Sequence, residues 1–386
     1  MINLVTDTID NNDIDQLIDW LKTYPRLTKS KLTVELEEKW SKWIGRKYSV
    51  FCNSGSSANL LMLYSLMESG YIHNKKVVVP SAAWATDLSP VMQLGLEPIL
   101  CDSNLEDLSV DLTHLEKIFI DENPAVLMFV SVLGLVPNMD KIVELCEEYG
   151  VVLLEDTCES MGSKYKDKKL GTFGMMSTFS TYFGHHISTI EGGFISTDDF
   201  QLYELLLSLR SHGWDRDLSK ETRKKLKQKW GVSEFNSLYT FYNPGFNLRS
   251  TDLQAFIGLG QIDKLDEVCI KRNNNFKLYQ KYLDNSYCDF VYLDNTFISN
   301  FAYPVIHPKR DTIVEELQKK NVEVRPMICG SMGIQPFYVK KYGRLELPNV
   351  SIIDRYGFYV PNHPKLTEEE IKLICDIINN QIKIGD

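Results

Sequence analysis

Two adjacent histidines, His185 and His186, stand between two short apolar segments that the sequence predicts as strands, residues 177–181 and 193–196. Histidine exchanges protons near neutral pH more readily than other side chains, so such a loop predicts acid–base chemistry. The pair can also bind a metal, but no Asp, Glu or His partner follows at ligand spacing. The sequence therefore predicts proton transfer at this loop and no metal site.

Three further loops carry polar or aromatic side chains at predicted strand ends, where ligands bind in open α/β sheets. Gly55-Ser56-Ser57 opens a predicted helix, and its amides and hydroxyls suit either a phosphate or a simple helix cap. Trp84 can cover a planar ring or merely pack. Asp156 ends a hydrophobic strand and can pair with a protonated ring nitrogen or cap a helix. The residues alone leave each of these alternatives open.

Alternating strands and helices must position these loops. Short apolar runs predict buried strands, and the amphipathic stretches between them predict helices. The strands predicted ahead of the histidine loop cover residues 49–52, 76–79, 98–101, 125–130 and 151–155. This βαβ rhythm predicts a mostly parallel sheet with helices on both faces.

The pattern changes after about residue 250. A long helix is predicted at residues 263–283, strands at 290–293 and 301–306, and a last helix at 367–382. These elements predict a smaller α+β unit. We therefore expect an N-terminal segment with a large domain over residues 1–255 and a small C-terminal domain over residues 256–386.

Composition and charge narrow the classes of function. The 386-residue chain is 44% hydrophobic and has a formal net charge of −10, whereas nucleic-acid binding needs a basic surface that displaces counterions from phosphate. No apolar run approaches the roughly 18 residues of a membrane helix, and the N-terminus lacks the basic and apolar regions of a secretory signal. We expect a cytoplasmic protein that binds neither nucleic acid nor membranes.

The cysteines predict reduced thiols. They lie far apart and form no CxC or CxxC element, so neither a disulfide framework nor an iron–sulfur cluster is predicted. The eight positions are Cys52, Cys101, Cys146, Cys158, Cys269, Cys288, Cys329 and Cys375.

The order of the motifs carries a family resemblance. The chain carries, in this order, SGSSANL, SAAWAT, LLEDTCES, GTFG, the loop that closes at EGG, and PGFNLRSTDLQAFIGLGQ, and the agreement with one family runs from about residue 15 to residue 265. Together they resemble the DegT-type family of nucleotide-sugar aminotransferases. The resemblance implies an α/β, fold type I (aspartate aminotransferase-like) large domain and a smaller α+β C-terminal domain. It also implies a homodimer with pyridoxal or pyridoxamine 5′-phosphate at the subunit interface.

The resemblance implies a phosphate site. Gly55, Ser56 and Ser57 match the family's phosphate-binding loop, and Ser180 matches an additional phosphate hydroxyl. Asn247, within PGFNLR, resembles the residue that reaches the phosphate from the neighbouring subunit.

Three further positions match groups around the cofactor ring. Trp84 occupies the position of the aromatic residue that stacks on the ring. Asp156 matches the carboxylate that keeps the ring nitrogen protonated, so that the ring accepts electrons. Glu159 stands where the family usually has Gln or His near the 3-hydroxyl.

One departure from the family decides the predicted reaction. Five residues after Ser180, the aminotransferases carry the lysine that attaches the cofactor covalently, and this chain has His185. Imidazole cannot form that bond, so the cofactor is expected to be held non-covalently while His185 acts as acid and base. The segment FGHHISTIEGG resembles the branch of the family that dehydrates GDP-4-keto-6-deoxy-mannose in colitose biosynthesis.

The resemblance thus implies a lyase that removes the C3 hydroxyl of a nucleotide-linked 4-keto-6-deoxyhexose. The same resemblance implies L-glutamate as the co-substrate that restores the pyridoxamine form.

Four further features are predicted to lie near the site. Arg210 and His212, in LRSHGW, resemble active-site neighbours of that branch and are predicted substrate contacts. His186 is interpreted as a supporting residue or a substrate contact. The basic stretch at residues 220–229 either faces the nucleotide diphosphate or forms a solvated helix face.

Two alternative functions remain open. A sugar aminotransferase with an atypical base would give a stable aminosugar, whereas a dehydratase would release ammonia. A catalytically silent protein with this fold could act as a binding partner, although such a protein has little need of Asp156, Trp84 and the phosphate loop.

Overall fold

A computed structural model describes residues 1–284 and 290–383. Cys288, predicted as a reduced thiol, lies outside the described residues. The other seven cysteines are free thiols; all are buried except Cys158 and Cys329, which are partly exposed. No helix in the described residues has both the length and the apolar character that a membrane span requires.

Thirteen strands and thirteen helices, numbered along the described chain, make up the fold. The strands are β1 (Tyr48–Cys52), β2 (Lys76–Pro80), β3 (Glu97–Cys101), β4 (Val126–Val130), β5 (Val152–Asp156), β6 (Lys164–Tyr165), β7 (Lys168–Lys169), β8 (Met176–Ser180), β9 (Gly193–Thr197), β10 (Thr296–Phe297), β11 (Ala302–Ile306), β12 (Arg325–Pro326) and β13 (Gly357–Pro361). The helices are α1 (Asn11–Leu21), α2 (Lys31–Ile44), α3 (Gly55–Ser69), α4 (Ala85–Gln93), α5 (Leu112–Glu122), α6 (Met139–Tyr149), α7 (Phe200–Leu209), α8 (Lys220–Trp230), α9 (Asp252–Tyr282), α10 (Arg310–Lys319), α11 (Pro336–Tyr342), α12 (Pro348–Tyr356) and α13 (Glu368–Lys383).

A seven-stranded sheet in the order β1-β9-β8-β5-β4-β2-β3 carries the site. Strands β8, β5, β4, β2 and β3 pair in parallel, and β9 runs antiparallel to both β1 and β8. All residues of β4 and β8 are buried, as expected for strands covered on both faces. The predicted mostly parallel sheet is confirmed, and the carboxyl ends of its parallel strands share one edge.

Helix α2 joins the N-terminal part of the chain to this sheet. Leu36, Trp40 and Ile44 repeat every four residues, so they share one helix face, and all three are buried. The Trp40 ring stacks on Phe194 of β9 with centroids 4.3 Å apart. This packing holds β9, and with it the end of the histidine loop, against the N-terminal helices.

The C-terminal part contains a three-stranded antiparallel sheet in the order β11-β13-β12. Helix α9, 31 residues long, begins at Asp252 after the N-cap Thr251, ahead of the predicted boundary at residue 255. Ile2 forms a parallel bridge with Val322, beside the C-terminal sheet. The first residues of the chain therefore contact the C-terminal part, although they were predicted to belong to the large domain. The predicted strand at residues 290–293 was wrong, since β10 begins only at Thr296. The division into two domains stays a prediction.

Candidate active site

A cavity of about 650 Å³ lies at the edge of the sheet where the parallel strands end. Its walls come from the loops that follow β1, β2, β4, β5 and β8 and from parts of the N- and C-terminal segments. The predicted site residues that line it are Gly55, Ser56, Trp84, Asp156, Glu159, Ser180 and His185. The structure therefore brings together loops that are far apart in sequence.

The N-terminus of α3 forms one end of the cavity. Ser54 caps the helix, because its Oγ accepts from the Ser57 backbone N–H at 3.1 Å. Ser54 Oγ also donates to Ser57 Oγ at 3.0 Å, which places Ser57 in the same turn although it does not line the cavity. The first amides of a helix lack intrahelical acceptors, so together with the Ser180 hydroxyl they suit an oxyanion.

Asp156 also lines the cavity, at the end of β5. Its carboxylate is held by two donors: Asn59 Nδ2 reaches Oδ2 at 2.6 Å, and the Cys158 backbone N–H reaches Oδ1 at 2.8 Å. The side chain is 6% exposed. Since both oxygens are fixed, the carboxylate can receive one further donor from the cavity, such as a ring N–H.

Asn59 and Asp87 were missed in the sequence analysis. Asn59 is buried on α3, and its Nδ2 also contacts Asp87 Oδ1 at 3.3 Å. Burial, and then the nearby Asp156 charge, raises the pKa of Asp87 well above its usual range. The sequence offered one signal for this contact, namely the polar Asn59 within the largely apolar segment of α3.

Trp84 lies at the rim of the cavity and is 53% exposed. Its backbone N–H donates to Asp87 Oδ2 at 3.0 Å, which fixes the start of α4. The indole thus has little packing of its own, so the exposed face is available to a planar ligand.

Glu159 reaches the cavity floor from the segment after β5. Its Oε2 accepts from the Leu133 backbone N–H at 2.6 Å. Removal from water, and then the Asp156 charge, raises the pKa of Glu159 to about 8, although the Leu133 bond opposes that shift. The carboxyl is therefore mostly protonated at neutral pH and can donate a hydrogen bond.

The His185 loop is closed on itself by backbone bonds. The Thr189 N–H donates to the Thr181 carbonyl, and the His185 N–H donates to the Tyr182 carbonyl, both at 2.9 Å. The imidazole packs against Phe301 with ring centroids 5.3 Å apart. Its Nδ1 has no hydrogen-bond partner within the described chain.

Two influences lower the pKa of His185 to about 4, and two oppose them. Removal from water is the largest, and the positive charge of Arg272 acts in the same direction. The Asp156 carboxylate and the Cys158 carbonyl favour the charged form and so oppose the shift. His185 is therefore neutral near pH 7, the state required of a base.

Three predicted substrate contacts lie outside the cavity lining. His186 is buried and its Nε2 contacts the Ser299 carbonyl at 2.9 Å, which indicates a structural role. The expectation for Arg210 is corrected: its side chain is 0% exposed and binds Glu37 and Asp217. His212 packs its ring against Trp214, with centroids 5.2 Å apart. Internal partners thus occupy these side chains.

Asn247 also lies outside the cavity of its own chain. It lines a separate pocket of about 330 Å³ together with Arg26, Lys29 and Arg249. The basic stretch at residues 220–229 forms α8, which has no buried residue and does not line the cavity. The solvated-face interpretation of that stretch therefore fits the structure.

The sequence analysis also missed cavity residues that come from distant segments. Asn3 and Val5 approach from the N-terminus, and Phe301, Arg325 and Tyr359 approach from the C-terminal part. No local motif marks them, because the tertiary pairing of the terminal segments brings them there.

The residues present fit a phosphorylated pyridine. The α3 N-terminus with Ser180 offers an anion site, Asp156 offers a buried carboxylate with a free direction, and Trp84 offers an exposed ring face. His185 contributes its imidazole ring to the cavity lining. No group of three or more His, Cys, Asp or Glu side chains in the described residues is placed to hold a metal ion.

Comparisons with known proteins identify the family of the chain and several of its relatives. The DegT/DnrJ/EryC1/StrS aminotransferase family model matches residues 7–379. GDP-4-keto-6-deoxy-D-mannose 3-dehydratase of Escherichia coli O55:H7 is 32% identical over 363 residues, 91% of this chain and 92% of that protein. GDP-perosamine synthase of Caulobacter vibrioides is 27% identical over 379 residues, 96% of this chain and 95% of that protein.

Solved structures agree as well. GDP-4-keto-6-deoxymannose-3-dehydratase with a trapped PLP–glutamate geminal diamine aligns with a TM-score of 0.88 at 30% identity, covering 98% of this chain and 100% of that one. The predicted α/β, aspartate-aminotransferase-like fold class is confirmed.

Proposed function

The chain belongs to the DegT/DnrJ/EryC1/StrS aminotransferase family, and from this premise we propose that it is a sugar 3-dehydratase. The substrate class is a GDP-linked 4-keto-6-deoxyhexose, and GDP-4-keto-6-deoxy-D-mannose is the compound to test first. One observation carries the proposal: His185 lines the cavity, and no lysine is among the described residues that line it. The similarity to a GDP-4-keto-6-deoxy-D-mannose 3-dehydratase supports the choice of substrate.

The cofactor of this proposal is pyridoxamine 5′-phosphate, with pyridoxal 5′-phosphate as its other form, bound without a covalent link. Gly55, Ser56, Ser57 and Ser180 would hold the phosphate at the α3 N-terminus. Asp156 would accept the ring N–H, an interaction that its two fixed donors leave room for. When bound, this cofactor supplies an amine for the sugar ketone and a ring that accepts electrons.

His185 moves the protons in this proposal. Because its pKa is about 4, the imidazole is neutral at the start and can take a proton from the reacting carbon. The imidazolium that results can return that proton to the departing C3 hydroxyl, which is otherwise a poor leaving group. One residue therefore acts first as base and then as acid.

Glu159 assists by remaining protonated. With a pKa of about 8, its carboxyl can donate a hydrogen bond to an oxygen in the cavity. Trp84 would cover one face of the cofactor ring and reduce the access of water to it. These side chains bind and orient the reactants and are not proton carriers.

L-Glutamate as amino donor and a homodimer complete the proposal. Asn247 lies outside the cavity of its own chain, which is compatible with a reach toward the cavity of a second copy. The family resemblance is the other support for this arrangement.

An aminotransferase acting on the same substrate is the second candidate. The similarity to a GDP-perosamine synthase favours it, whereas the histidine at the position of the family's lysine argues against it. The two functions give different products from the same mixture, since a dehydratase releases ammonia and an aminotransferase gives an aminosugar.

The test combines the protein with pyridoxamine phosphate, L-glutamate and GDP-4-keto-6-deoxy-D-mannose, and identifies the products by mass spectrometry. We expect a 3-deoxy-4-keto sugar with ammonia release. His185→Asn should lower turnover about 10²–10⁴-fold with near-normal cofactor affinity. His73→Asn, at an exposed histidine, is the matched control and should turn over normally. An aminosugar product, or full turnover by His185→Asn, would sink the proposal.

A further inference from the structure

Arg272 lies on α9 behind the His185 loop, and its guanidinium is buried without an anionic partner. The side chain is 1% exposed. Nη1 donates to the carbonyls of Phe301 (2.8 Å), Asn300 (3.3 Å) and Asn362, and Nη2 donates to the His185 carbonyl at 3.2 Å. Within the described part of the chain, no carboxylate lies within ion-pair distance of it, and its Nε has no acceptor.

Such a group is costly if packing is its only task. A buried charge without a counter-ion destabilises the fold, because no opposite charge replaces the hydration that is lost. Burial lowers the pKa of Arg272 to about 10, which leaves the group charged at neutral pH. Four carbonyl dipoles offset part of the cost, yet a neutral side chain would avoid it altogether. The retained charge therefore points to a task beyond filling space.

The contacts of Arg272 join three segments at the catalytic loop. The carbonyls it binds belong to His185, to Asn300 and Phe301 just before β11, and to Asn362 just after β13. The Phe301 ring also packs against the His185 imidazole at an interplanar angle of 49°. A planar guanidinium with several donors in fixed directions thus holds both the backbone of His185 and the ring beside its imidazole.

The charge of Arg272 acts on the same imidazole. The titratable and polar groups that face His185 are Asp156 at the end of β5, the Cys158 carbonyl, Tyr182 and His186 in its own loop, and Arg272 on α9. Asp156 favours the protonated ring, whereas Arg272 opposes it.

We propose that Arg272 is a positioning residue for the proton transfer. Its guanidinium clamps the His185 loop against the C-terminal sheet, and its positive charge opposes a second positive charge on the adjacent imidazole. This inference rests on the proposed function in one respect: the proton transfer that Arg272 supports is the one proposed for dehydration.

Two substitutions separate the clamp from the charge. Arg272→Lys keeps a cation but loses the planar fork, and Arg272→Met loses both. Arg46→Lys is the control, because the Arg46 side chain is also only 6% exposed and also donates to two carbonyls. Unlike Arg272 it pairs with a carboxylate, that of Asp198, and its partners lie outside the His185 loop. Two readouts are used: steady-state dehydration with pyridoxamine phosphate bound, and NMR titration of the histidine rings in labelled protein, with the His185 signal identified by its loss in His185→Asn.

The expected results differ for the two variants. Arg272→Lys should lower kcat about 10- to 100-fold with KM nearly unchanged, because small misplacement of a reacting group is costly. Its His185 titration should stay near that of the native protein. Arg272→Met should raise the midpoint of the His185 titration by about one pH unit and move the acid limb of kcat/KM in the same direction. Arg46→Lys should change neither the pH profile nor the His185 titration.

The readouts distinguish failure of this inference from failure of the proposed function. An unchanged His185 titration in Arg272→Met would overturn the charge role, whatever reaction the protein performs. If Arg272→Lys has the kcat of the native protein, the clamp role of Arg272 is overturned. If Arg272→Met does not fold, Arg272→Lys alone tests the proposal. Absence of dehydration by the native protein, together with the shifted titration, would reject the proposed function and keep the assignment of Arg272 to His185.

Discussion

Asn59 on α3 donates from Nδ2 to Asp156 Oδ2 at 2.6 Å, and this bond links the helix of the proposed phosphate site to the carboxylate of the proposed ring site. The orientation of the amide is fixed because Asn59 Oδ1 accepts from Thr178 Oγ1, also at 2.6 Å. The helix that opens with the phosphate loop therefore also sets the direction of the carboxylate that faces the ring. In the proposed function, a single helix would therefore position both ends of a pyridine phosphate.

Asn59→Ala should weaken cofactor binding without abolishing the fold. The variant removes a charge-assisted bond to a buried carboxylate, worth about 1.5–3 kcal/mol. We expect the dissociation constant of pyridoxamine phosphate, measured by fluorescence titration, to rise about tenfold or more. Asn74→Ala removes a side-chain donor on the exposed surface and is the control. Equal affinity in Asn59→Ala and the native protein would contradict the link.

Trp84→Ala should reduce cofactor affinity while leaving the free protein as stable as before. The indole is half exposed and its backbone, not its ring, makes the contact with Asp87. Aromatic stacking is worth about 0.5–1.5 kcal/mol, so a loss of about 2- to 10-fold in affinity is expected. Trp84→Phe should recover most of it. If Trp84→Ala lowers the unfolding midpoint instead, the ring has a packing role and the ligand role is not supported.

Glu159→Gln should change how stability depends on pH. The pKa of Glu159 is raised to about 8 in the folded chain from an ordinary 4.5. A group with a raised folded pKa contributes stability that is complete below 4.5 and is lost as pH rises toward 8. This loss is at most about 1.4 kcal/mol per pH unit. The neutral amide keeps the shape of the side chain and can accept from the Leu133 N–H.

Urea unfolding at pH 6 and pH 8 measures this effect. The urea concentration at the unfolding midpoint of the native protein should be lower at pH 8 than at pH 6. For Glu159→Gln the decrease should be smaller. Glu97→Gln, at an exposed strand end, should behave as the native protein does. The same pH dependence in native protein and Glu159→Gln would show that Glu159 is ionised in the fold.

The fold was predictable from the sequence where one periodicity dominated. Strands such as β4, with five buried apolar residues in succession, and helices such as α2, with a four-residue repeat of apolar side chains, carry local signals. The start of α9 was placed eleven residues late, because its first turns mix polar and apolar side chains around a capping box at Thr251. The pairing of Ile2 with Val322 has no local signal at all.

The site was predictable where a motif stood at a strand end. Gly55, Trp84, Asp156 and His185 meet in one cavity because parallel strands end at one edge of the sheet. The position of Arg210 was not predictable, because LRSHGW does not reveal that Glu37 from a distant helix binds the guanidinium. Arg272 was missed for the same reason, since its partners are backbone carbonyls of three separate segments.

Gly55→Ala should disturb the phosphate end of the cavity through a single contact. A Cβ at Gly55 would lie 2.6 Å from Ser180 Cβ and 3.0 Å from Ser180 Oγ, closer than side chains tolerate. Either α3 or β8 must shift, at a cost of about 1–3 kcal/mol. We expect a lower unfolding midpoint and, because the helix amides and the hydroxyl separate, about tenfold or greater loss of pyridoxamine phosphate affinity.

A second substitution tests whether that contact is the cause. Gly55→Ala combined with Ser180→Gly removes both close atoms and leaves Ser180 Cα, at 3.2 Å, as the remaining neighbour. The unfolding midpoint should then recover, whereas cofactor affinity should stay low because the hydroxyl is gone. Ser180→Ala, which removes only the hydroxyl, provides the reference for that affinity. If the double variant is as unstable as Gly55→Ala, the strain lies elsewhere in the loop and Ser180 does not define the depth of the phosphate site.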